Sequence, residues 1–219
     1  MTRLPRSRGG PPARVLPSPR HDAKATPPGR SPPPVGVRVI AGALKGRRLV
    51  TPRGATTRPT ADQVRIALMD TLGPRLPDAR VLDLFAGAGG VGLEALSRGA
   101  AHTTFVERDP RALEALVENI RTLDLEPRTH VVRGDVTRQL GRLAGEARRF
   151  EIVFLDPPYA TDDGERTLAT LGGGALLAPE GLVIAQHPTK RRLQECGVLR
   201  AFRDRRFGET TLTFFRAGG

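Results

Sequence analysis

Short apolar runs alternate along the chain with segments whose apolar residues follow a helical period. Five runs are rich in strand-forming side chains and predict strands at Arg80–Phe85, His102–Val106, His130–Arg133, Glu151–Leu155 and Gly181–Ala185. Helical spacing predicts helices over Ala61–Leu72, over Leu93–Arg98 and from Pro110 onward, the last with a stripe of Leu113, Leu116, Val117 and Ile120. Strands and helices in this order predict an α/β fold with a mostly parallel sheet and helices on both faces.

Two antiparallel elements flank the predicted parallel strands. At the C-terminus, Leu199–Phe207 and Thr210–Arg216 predict a hairpin that turns at Gly208. At the other end, Val37–Ile40 and Arg47–Val50 predict a small hairpin, which precedes the first helix. We therefore expect one domain over residues 37–219, in which an N-terminal hairpin and helix extend the sheet domain.

Residues 1–36 have a different composition from the rest of the chain. They contain seven basic residues and one acidic residue, many prolines and few large apolar side chains. Such a segment cannot bury enough apolar surface to fold by itself, so we expect a disordered basic tail. Its charge, seven minus one or +6, is half of the net +12 of the 219-residue chain. The tail is either an arm that attracts phosphate or a solvated extension without such a role. A misassigned start codon would also explain the additional residues.

Composition also excludes several classes of protein. A single cysteine, Cys196, excludes an internal disulfide and a cysteine-rich zinc site, and we expect no metal. No apolar run reaches the length of a membrane span, and the N-terminus lacks the apolar core of a signal peptide, so we expect a cytoplasmic protein. The positive charge predicts an anionic partner such as RNA, DNA or the ribosome. Five basic residues on and beside the N-terminal hairpin are candidate phosphate contacts: Lys45, Arg47, Arg48, Arg53 and Arg58. The alternative is that they form only the solvated edge of a hairpin.

A glycine-rich turn follows the first predicted strand, with glycines at 87, 89, 90 and 92. Glycine allows positive φ and lets a ligand approach the backbone, and a strand, glycine turn and helix is the nucleotide-binding start of a doubly wound fold. Asp83 lies within the strand, and Glu107 follows 24 residues later at the end of the next strand. That spacing suits an acid that accepts hydrogen bonds from a ribose diol, so the pattern favours adenosine over pyrophosphate. Asp135, after the third strand, is either an acceptor for the adenine amine or a helix N-cap.

The fourth strand ends in the tetrapeptide Asp156-Pro157-Pro158-Tyr159. Two consecutive prolines cannot continue a strand ladder, so the chain must leave the sheet as a rigid extended turn with exposed carbonyl groups. Asp156 adds a carboxylate and Tyr159 adds a flat ring. Together these groups offer acceptors for an amino group and a face for its heterocycle.

These two motifs resemble motifs I and IV of S-adenosylmethionine-dependent amino methyltransferases. The chain more narrowly resembles the family of bacterial 16S rRNA (guanine(966)-N(2))-methyltransferases, collinearly over about residues 37–216. Further shared segments are Arg38–Gly42 with Lys45–Arg47, Arg58–Thr60 with Val64–Arg65, Glu94–Ala100 and Arg206–Thr210. Gln186 departs from the resemblance, because we expect an acidic residue at the end of the fifth strand in many relatives. The basic tail of residues 1–36 is a second departure, since it is additional to the family pattern.

The resemblance implies a Rossmann-like methyltransferase with a seven-stranded sheet and S-adenosyl-L-methionine as the cofactor. It implies catalytic roles for Asp156, Pro157, Pro158 and Tyr159, and cofactor contacts from Asp83, Phe85, Ala86, Gly87, Gly89, Glu107 and Asp135. RNA contacts are expected from Lys45, Arg47, Arg48 and Arg58. The implied substrate is the N2 amine of a guanine in 16S rRNA, within the small ribosomal subunit or its assembly intermediate, and we expect a monomer.

Two other functions remain open from the sequence. The same proline turn serves any planar amino group, so the substrate could be DNA adenine or cytosine, or a protein glutamine. The lack of a separate target-recognition segment counts against DNA, and the basic hairpin counts against a small protein substrate. A non-catalytic RNA-binding protein with the same fold is the second alternative, against which the intact Asp156 and Gly87 argue.

Overall fold

The computed structural model describes residues 37–52 and 59–218. The tail of residues 1–36 and the predicted phosphate contacts Arg53 and Arg58 lie outside the described residues. Within the described ranges the helices are α1 (Pro59–Leu72), α2 (Gly90–Ser97), α3 (Pro110–Thr122), α4 (Val136–Gly145) and α5 (Asp163–Leu171). The strands are β1 (Arg80–Leu84), β2 (His102–Glu107), β3 (Thr129–Arg133), β4 (Phe150–Leu155), β5 (Leu177–Pro188), β6 (Leu199–Phe207) and β7 (Thr210–Ala217). None of these helices is long and apolar enough to cross a lipid bilayer.

The seven strands form one sheet in the order β3-β2-β1-β4-β5-β7-β6. Strands β1 to β5 run parallel, whereas β7 is antiparallel to both β5 and β6. The order reverses between β1 and β4, and in open α/β sheets a ligand binds at the carboxyl ends of the strands beside such a reversal. The predicted Rossmann-like sheet is confirmed, and the glycine turn and the proline turn leave adjacent strands at this point.

Helices cover both faces of the sheet, as predicted. On one face, side chains of α1, α2 and α3 form a buried cluster that includes Leu68, Leu93 and Leu116. On the other face, α4 and α5 contribute Leu140 and Leu168 to a second cluster. The predicted apolar stripe of α3 is correct except at Val117, which is 53% exposed because it lies on the solvent side of the helix.

The N-terminal segment, residues 37–50, is an antiparallel ribbon whose two arms pair as the predicted hairpin, although the pairing is short and centres on one bridge, Arg38 to Arg48. The Val39 N–H donates to the Arg47 carbonyl at 2.9 Å, and the Leu49 N–H donates to the Val37 carbonyl at 2.8 Å. Side chains of α2 and α3 bind other backbone groups of the ribbon. Glu94 accepts hydrogen bonds from the N–H groups of Ile40 (2.7 Å) and Ala41 (2.9 Å). At the other end, Asn119 accepts from the Val50 N–H at 2.6 Å and donates to the Val50 carbonyl at 2.9 Å.

Candidate active site

The glycine turn after β1 has left-handed backbone angles. Phe85 has a φ of 60°, and Gly87 and Gly89 follow with values of 55° and 86°. A left-handed residue that carries a side chain is disfavoured by about 1–2 kcal/mol, so contacts must hold Phe85 in place. One of them is the hydrogen bond from the N–H of Ala86 to the carbonyl of Val106, at 3.1 Å. Strain of this kind is concentrated at functional sites.

The glycines of this turn serve two different purposes. A Cβ atom added to Gly87 would meet nothing within 4 Å, so this residue faces open space. By contrast, a Cβ on Gly89 would lie 2.5 Å from Leu116 Cδ1, and one on Gly92 would overlap the ring of Phe105. Gly89 and Gly92 therefore allow α2 to pack closely, whereas Gly87 leaves room for a ligand.

Two acidic side chains accept hydrogen bonds from backbone N–H groups of the glycine turn. Asp83 is buried in β1 and accepts a hydrogen bond from the Gly92 N–H at 2.9 Å. Glu107, at the end of β2, accepts from the N–H groups of Gly87 (2.7 Å), Arg108 (2.7 Å) and Asp109 (2.8 Å). A carboxylate has about four lone-pair positions, so Glu107 retains about one for a ligand. Its role as a ribose acceptor stays a prediction, and its role in fixing the turn is an addition.

Asp135 follows β3 and caps α4. Its side chain accepts a hydrogen bond from the Arg138 N–H at 3.2 Å, and it lies 4.0 Å from the guanidinium of Arg108. The sequence left two roles open for Asp135, and the structure displays the cap. An adenine contact would require the same half-exposed carboxylate and stays a prediction.

The proline turn leaves β4 directly beside the glycine turn. The N–H of Asp156 lies 3.4 Å from the carbonyl of Leu84, the last residue of β1. Pro157 is buried, whereas the ring of Tyr159 is 44% exposed. The Tyr159 hydroxyl contacts Gln186 Nε2 at 3.3 Å and Thr210 Oγ1 at 3.2 Å, so the ring is held at the rim of the site.

Burial changes the protonation of the two aspartates at these strand ends. It raises the pKa of Asp83 to about 8, with smaller contributions from the negative charges of Asp156 and Glu107. Burial likewise raises the pKa of Asp156 to about 7, against a hydrogen bond from the side chain of Gln186 that favours the ionised form. Near pH 7 Asp83 is therefore mostly protonated and Asp156 about half protonated, and a cationic ligand at this edge of the sheet would favour the ionised form of both.

Two cavities meet at Asp156. The first has a volume of 940 Å³ and extends from the end of β2 to the β6–β7 turn; its lining includes Glu107, Arg108, Pro157, Tyr159 and Thr210. The second, of 430 Å³, lies against the glycine turn, and its lining includes Asp83, Ala86, Gly87 and Arg65. Val64, Phe85, Asp156 and Gln186 line both. The geometry offers a ligand space along the glycine turn and an adjoining open cleft for a second reactant.

The structure brings most of the predicted catalytic and cofactor residues together but leaves the three predicted RNA contacts that it describes elsewhere. Lys45 and Arg48 are exposed on the ribbon, and Arg47 donates a hydrogen bond to the carbonyl of Thr122 at the end of α3, at 2.6 Å. The ribbon turn packs on the far end of α2, where Ala43 donates to the carbonyl of Ser97. Lys45, Arg47 and Arg48 therefore do not line either cavity.

Sequence reasoning missed three contributors to the site. Arg65 on α1 was noted only as part of a shared segment, although it lines the cavity at the glycine turn. Gln186 was noted as a departure from the family pattern, without its contact to Asp156. The turn that follows Phe207 was predicted, but its position on the cleft wall was not. These positions depend on how distant segments pack, and local pattern carries little signal for them.

The chain is similar to known proteins over most of its length. The family described as "Conserved hypothetical protein 95" matches residues 37–216. A Bacillus subtilis relative named "Putative rRNA methyltransferase YlbH" is 38% identical over 184 residues, which is 84% of this chain and 100% of that protein. "Ribosomal RNA small subunit methyltransferase D" of Escherichia coli is 37% identical over 72% of this chain and 77% of its own.

A solved structure agrees with these relatives. The chain titled "Putative methyltransferase yhhF from Escherichia coli" superimposes with a TM-score of 0.74 at 32% identity, and the match covers 83% of this chain and 98% of that one. The extent and level of these matches confirm the resemblance drawn from the two motifs. The chain therefore belongs to the "Conserved hypothetical protein 95" family, the family of bacterial ribosomal RNA methyltransferases that its motifs resemble.

Proposed function

We propose that this protein is an S-adenosylmethionine-dependent methyltransferase that methylates the exocyclic N2 amine of a guanine in 16S ribosomal RNA. The observation that carries the proposal is the position of the Asp156–Tyr159 turn, which lies beside the glycine turn at the meeting point of two cavities. Relatives at 37–38% identity bear the names of ribosomal RNA methyltransferases, one of them of the small subunit, which supports the substrate class.

The cofactor is S-adenosylmethionine, which supplies an electrophilic methyl group on a positively charged sulfonium. The residues present fit this group. Gly87 leaves the backbone of the turn open, and a bound cation would favour the ionised forms of Asp83 and Asp156 on the adjoining wall. Phe85, Ala86 and Gly89 would shape the turn around the methionine part, Glu107 would accept from the ribose, and Asp135 would contact the adenine.

Asp156 and Pro157 would bind the amine that is methylated. The lone pair of a guanine amine is delocalised into its ring, so the amine is a poor nucleophile. Hydrogen bonds from its two N–H groups to the Asp156 carboxylate and the Pro157 carbonyl would localise the lone pair toward the methyl group. A bond to a charged acceptor is about twice as strong as a neutral one, so Asp156 would contribute more than Pro157. After transfer, the Asp156 carboxylate is placed to receive the proton that the amine loses.

Tyr159 and the open cleft would receive the target base. The exposed ring, held at its hydroxyl by Gln186 and Thr210, offers a stacking face worth about 1–3 kcal/mol per base. Pro158 continues the rigid turn that carries this ring. The base must leave its helix or loop to enter, as for other enzymes that modify a base. Alignment of amine and methyl group in this cleft can supply about 7–11 kcal/mol of the barrier reduction.

Basic side chains would bind the RNA backbone at two distances from the cleft. Arg108 lines the cleft itself. Lys45, Arg47 and Arg48 lie on the ribbon and, with Arg58, would contact phosphates farther along the substrate. Such contacts set the register of the RNA without reading its sequence. We infer that the enzyme acts in the cytoplasm as a monomer on the small subunit or its assembly intermediate.

The test is methyl transfer from radiolabelled cofactor to free 16S rRNA, small-subunit particles, DNA and a glutamine-containing peptide, followed by identification of the product. The proposal requires N2-methylguanosine in 16S rRNA or in the particles. A methylated DNA base or glutamine would replace the substrate assignment. A folded protein that binds RNA but transfers no methyl group to any substrate would make this chain a binding protein.

A further inference from the structure

Arg65 is a buried cation at the edge of the cavity along the glycine turn. The residue is only 7% exposed, and its position on α1 brings the guanidinium against Gly90, the first residue of α2. Nη2 donates to the carbonyl of Arg38 at 2.8 Å and to Asp62 Oδ1 at 3.0 Å. The carboxylate of Asp62, which lines the same cavity, is 53% exposed, and the buried Glu94 adds a second negative charge near Arg65.

The same guanidinium is incompletely satisfied on its inner side. Its Nε–H group is buried and has no hydrogen-bond acceptor among the described residues. Burial lowers the pKa of Arg65, which reflects the same loss of solvent around a cation. Buried polar groups are rarely left without a partner, and an arginine presents its donors in a planar fork that matches a carboxylate. Arg65 also lines the 430 Å³ cavity, so an acceptor on a ligand could reach it there.

A second feature of this wall favours an anion. α2 begins at Gly90, and a Cβ atom on Gly90 would lie 3.1 Å from Arg65 Nη1. The first N–H groups of a helix carry partial positive charge, so Arg65 and the start of α2 reinforce each other. The carboxyl groups of Asp83 and Asp156 line the same cavity and would be negative beside a cation. A ligand that fits this distribution carries an anionic group and a cationic group a short distance apart, as an amino acid does.

We propose that Arg65 binds the α-carboxylate of the methionine part of the cofactor. The inference rests on the proposed function, because it takes S-adenosylmethionine as the ligand. It adds the anchor that fixes one end of that ligand. The sulfonium and amino groups would then extend toward Asp83 and Asp156, and the methyl group would face the adjoining cleft. Arg65 is thus a positioning residue for the cofactor and does not touch the target base.

Calorimetric titration without RNA tests this assignment. The ligands are S-adenosylhomocysteine and its decarboxylated counterpart, which lacks only the carboxylate. Loss of a charge-assisted hydrogen bond should raise the Kd of S-adenosylhomocysteine about 10- to 100-fold in Arg65→Gln, with a smaller increase in Arg65→Lys. The decarboxylated ligand should bind the wild type and Arg65→Gln with affinities within about twofold of each other, because it cannot make the bond.

A matched control is Arg98→Gln. Arg98 is a mostly buried arginine that pairs with Glu94 at 2.9 Å and does not line the cavity. This variant should lower the melting temperature without changing the affinity for either ligand. Equal losses for both ligands in Arg65→Gln would show that Arg65 only supports the fold, and no loss for either would remove the contact.

The wild-type protein alone gives an independent answer if Arg65→Gln does not fold. Wild-type affinities for the two ligands that differ by less than about threefold would overturn the proposal, because the carboxylate would then have no strong partner. Failure of the wild type to bind either ligand would instead overturn the cofactor assignment, and the Arg65 contact with it. If the carboxylate strengthens binding but the methylated product is not N2-methylguanosine, the assignment of Arg65 stands and only the proposed substrate changes.

Discussion

Replacement of Gln186 by leucine should shift the pH dependence of methyl transfer to higher pH. The amine needs an ionised acceptor, so kcat/KM should rise with pH through the pKa of Asp156, which burial raises to about 7. A hydrogen bond from Gln186 favours the charged form and therefore works against burial. Without this bond the pKa of Asp156 must rise further, and the ascending part of the profile must follow it.

The size of the shift follows from the strength of one hydrogen bond. A bond to a charged group contributes about 1.5–3 kcal/mol, and one pKa unit corresponds to about 1.4 kcal/mol. Because Asp156 is partly accessible, we expect the low end, which is a shift of about one unit upward. At pH 7 the ionised fraction would fall from about one half to about one tenth, so the rate would fall about fivefold. At pH 9 the two enzymes should differ little.

Tyr159→Phe is the matched control for this variant. Gln186 also contacts the Tyr159 hydroxyl at 3.3 Å, so removing that hydroxyl breaks the second bond of the same amide while Asp156 keeps its donor. The control should retain a midpoint near pH 7. The assay is initial-rate methyl transfer from pH 5.5 to 9.5 in constant-ionic-strength buffers. A Gln186→Leu profile that superimposes on the wild type after scaling would refute the assigned role of Gln186. A flat wild-type profile between pH 6 and 8 would refute the need for ionised Asp156.

Four further changes have defined outcomes. Asp156→Ala should lower methyl transfer by more than tenfold, over 1.4 kcal/mol, while calorimetry still detects cofactor binding. Gly87→Val should raise the cofactor Kd about tenfold or more, since its side chain would fill open space along the turn. Glu107→Ala should also raise that Kd about tenfold; in addition its melting temperature should fall, since three backbone N–H groups lose their acceptor. Removal of residues 1–36 should weaken RNA binding modestly and flatten its salt dependence, by about 0.7–0.9 in log–log slope per lost phosphate contact, while turnover at saturating RNA stays intact. A truncated enzyme that loses turnover at saturation would make the tail a substrate-positioning element.

The sequence predicted the features that depend on local pattern. Each parallel strand was placed within a few residues, because an apolar run that ends at a turn residue specifies a buried strand. β5 is longer than expected, at Leu177–Pro188, since Leu177 pairs with Phe150 of β4 before a register shift and the last three residues pair with β7. The positions of Asp83, Glu107 and Asp156 at strand ends followed directly from these runs.

Contacts between distant segments could not be predicted in the same way. Glu94 lies within a predicted helix, and nothing local indicates that it accepts hydrogen bonds from a ribbon 53 or 54 residues away. Asn119 similarly joins Val50 to the carbonyl of Ala88 in the glycine turn. These side chains bind backbone groups that take no part in the hydrogen bonds between the two arms of the ribbon. The position of the ribbon, and with it the distance of Lys45 and Arg47 from the cleft, follows from these bonds.

The number of hydrogen-bond donors around a carboxylate distinguishes Glu107, which fixes the backbone, from Asp156, which is available to the target amine. Glu107 accepts three hydrogen bonds from backbone N–H groups that the fold keeps in place, so its orientation is rigid and little of its acceptor capacity remains. Among the residues that the structure describes, Gln186 is the side-chain donor to Asp156, which retains most of its lone pairs for an incoming N–H group. Both side chains are carboxylates, but they suit different roles. Glu107 suits a fixed contact with a bound ligand, whereas Asp156 suits an acceptor whose charge responds to its neighbours. Since Asp156 and Tyr159 share the amide of Gln186, the acceptor and the stacking ring are adjusted together at the point where the two cavities meet.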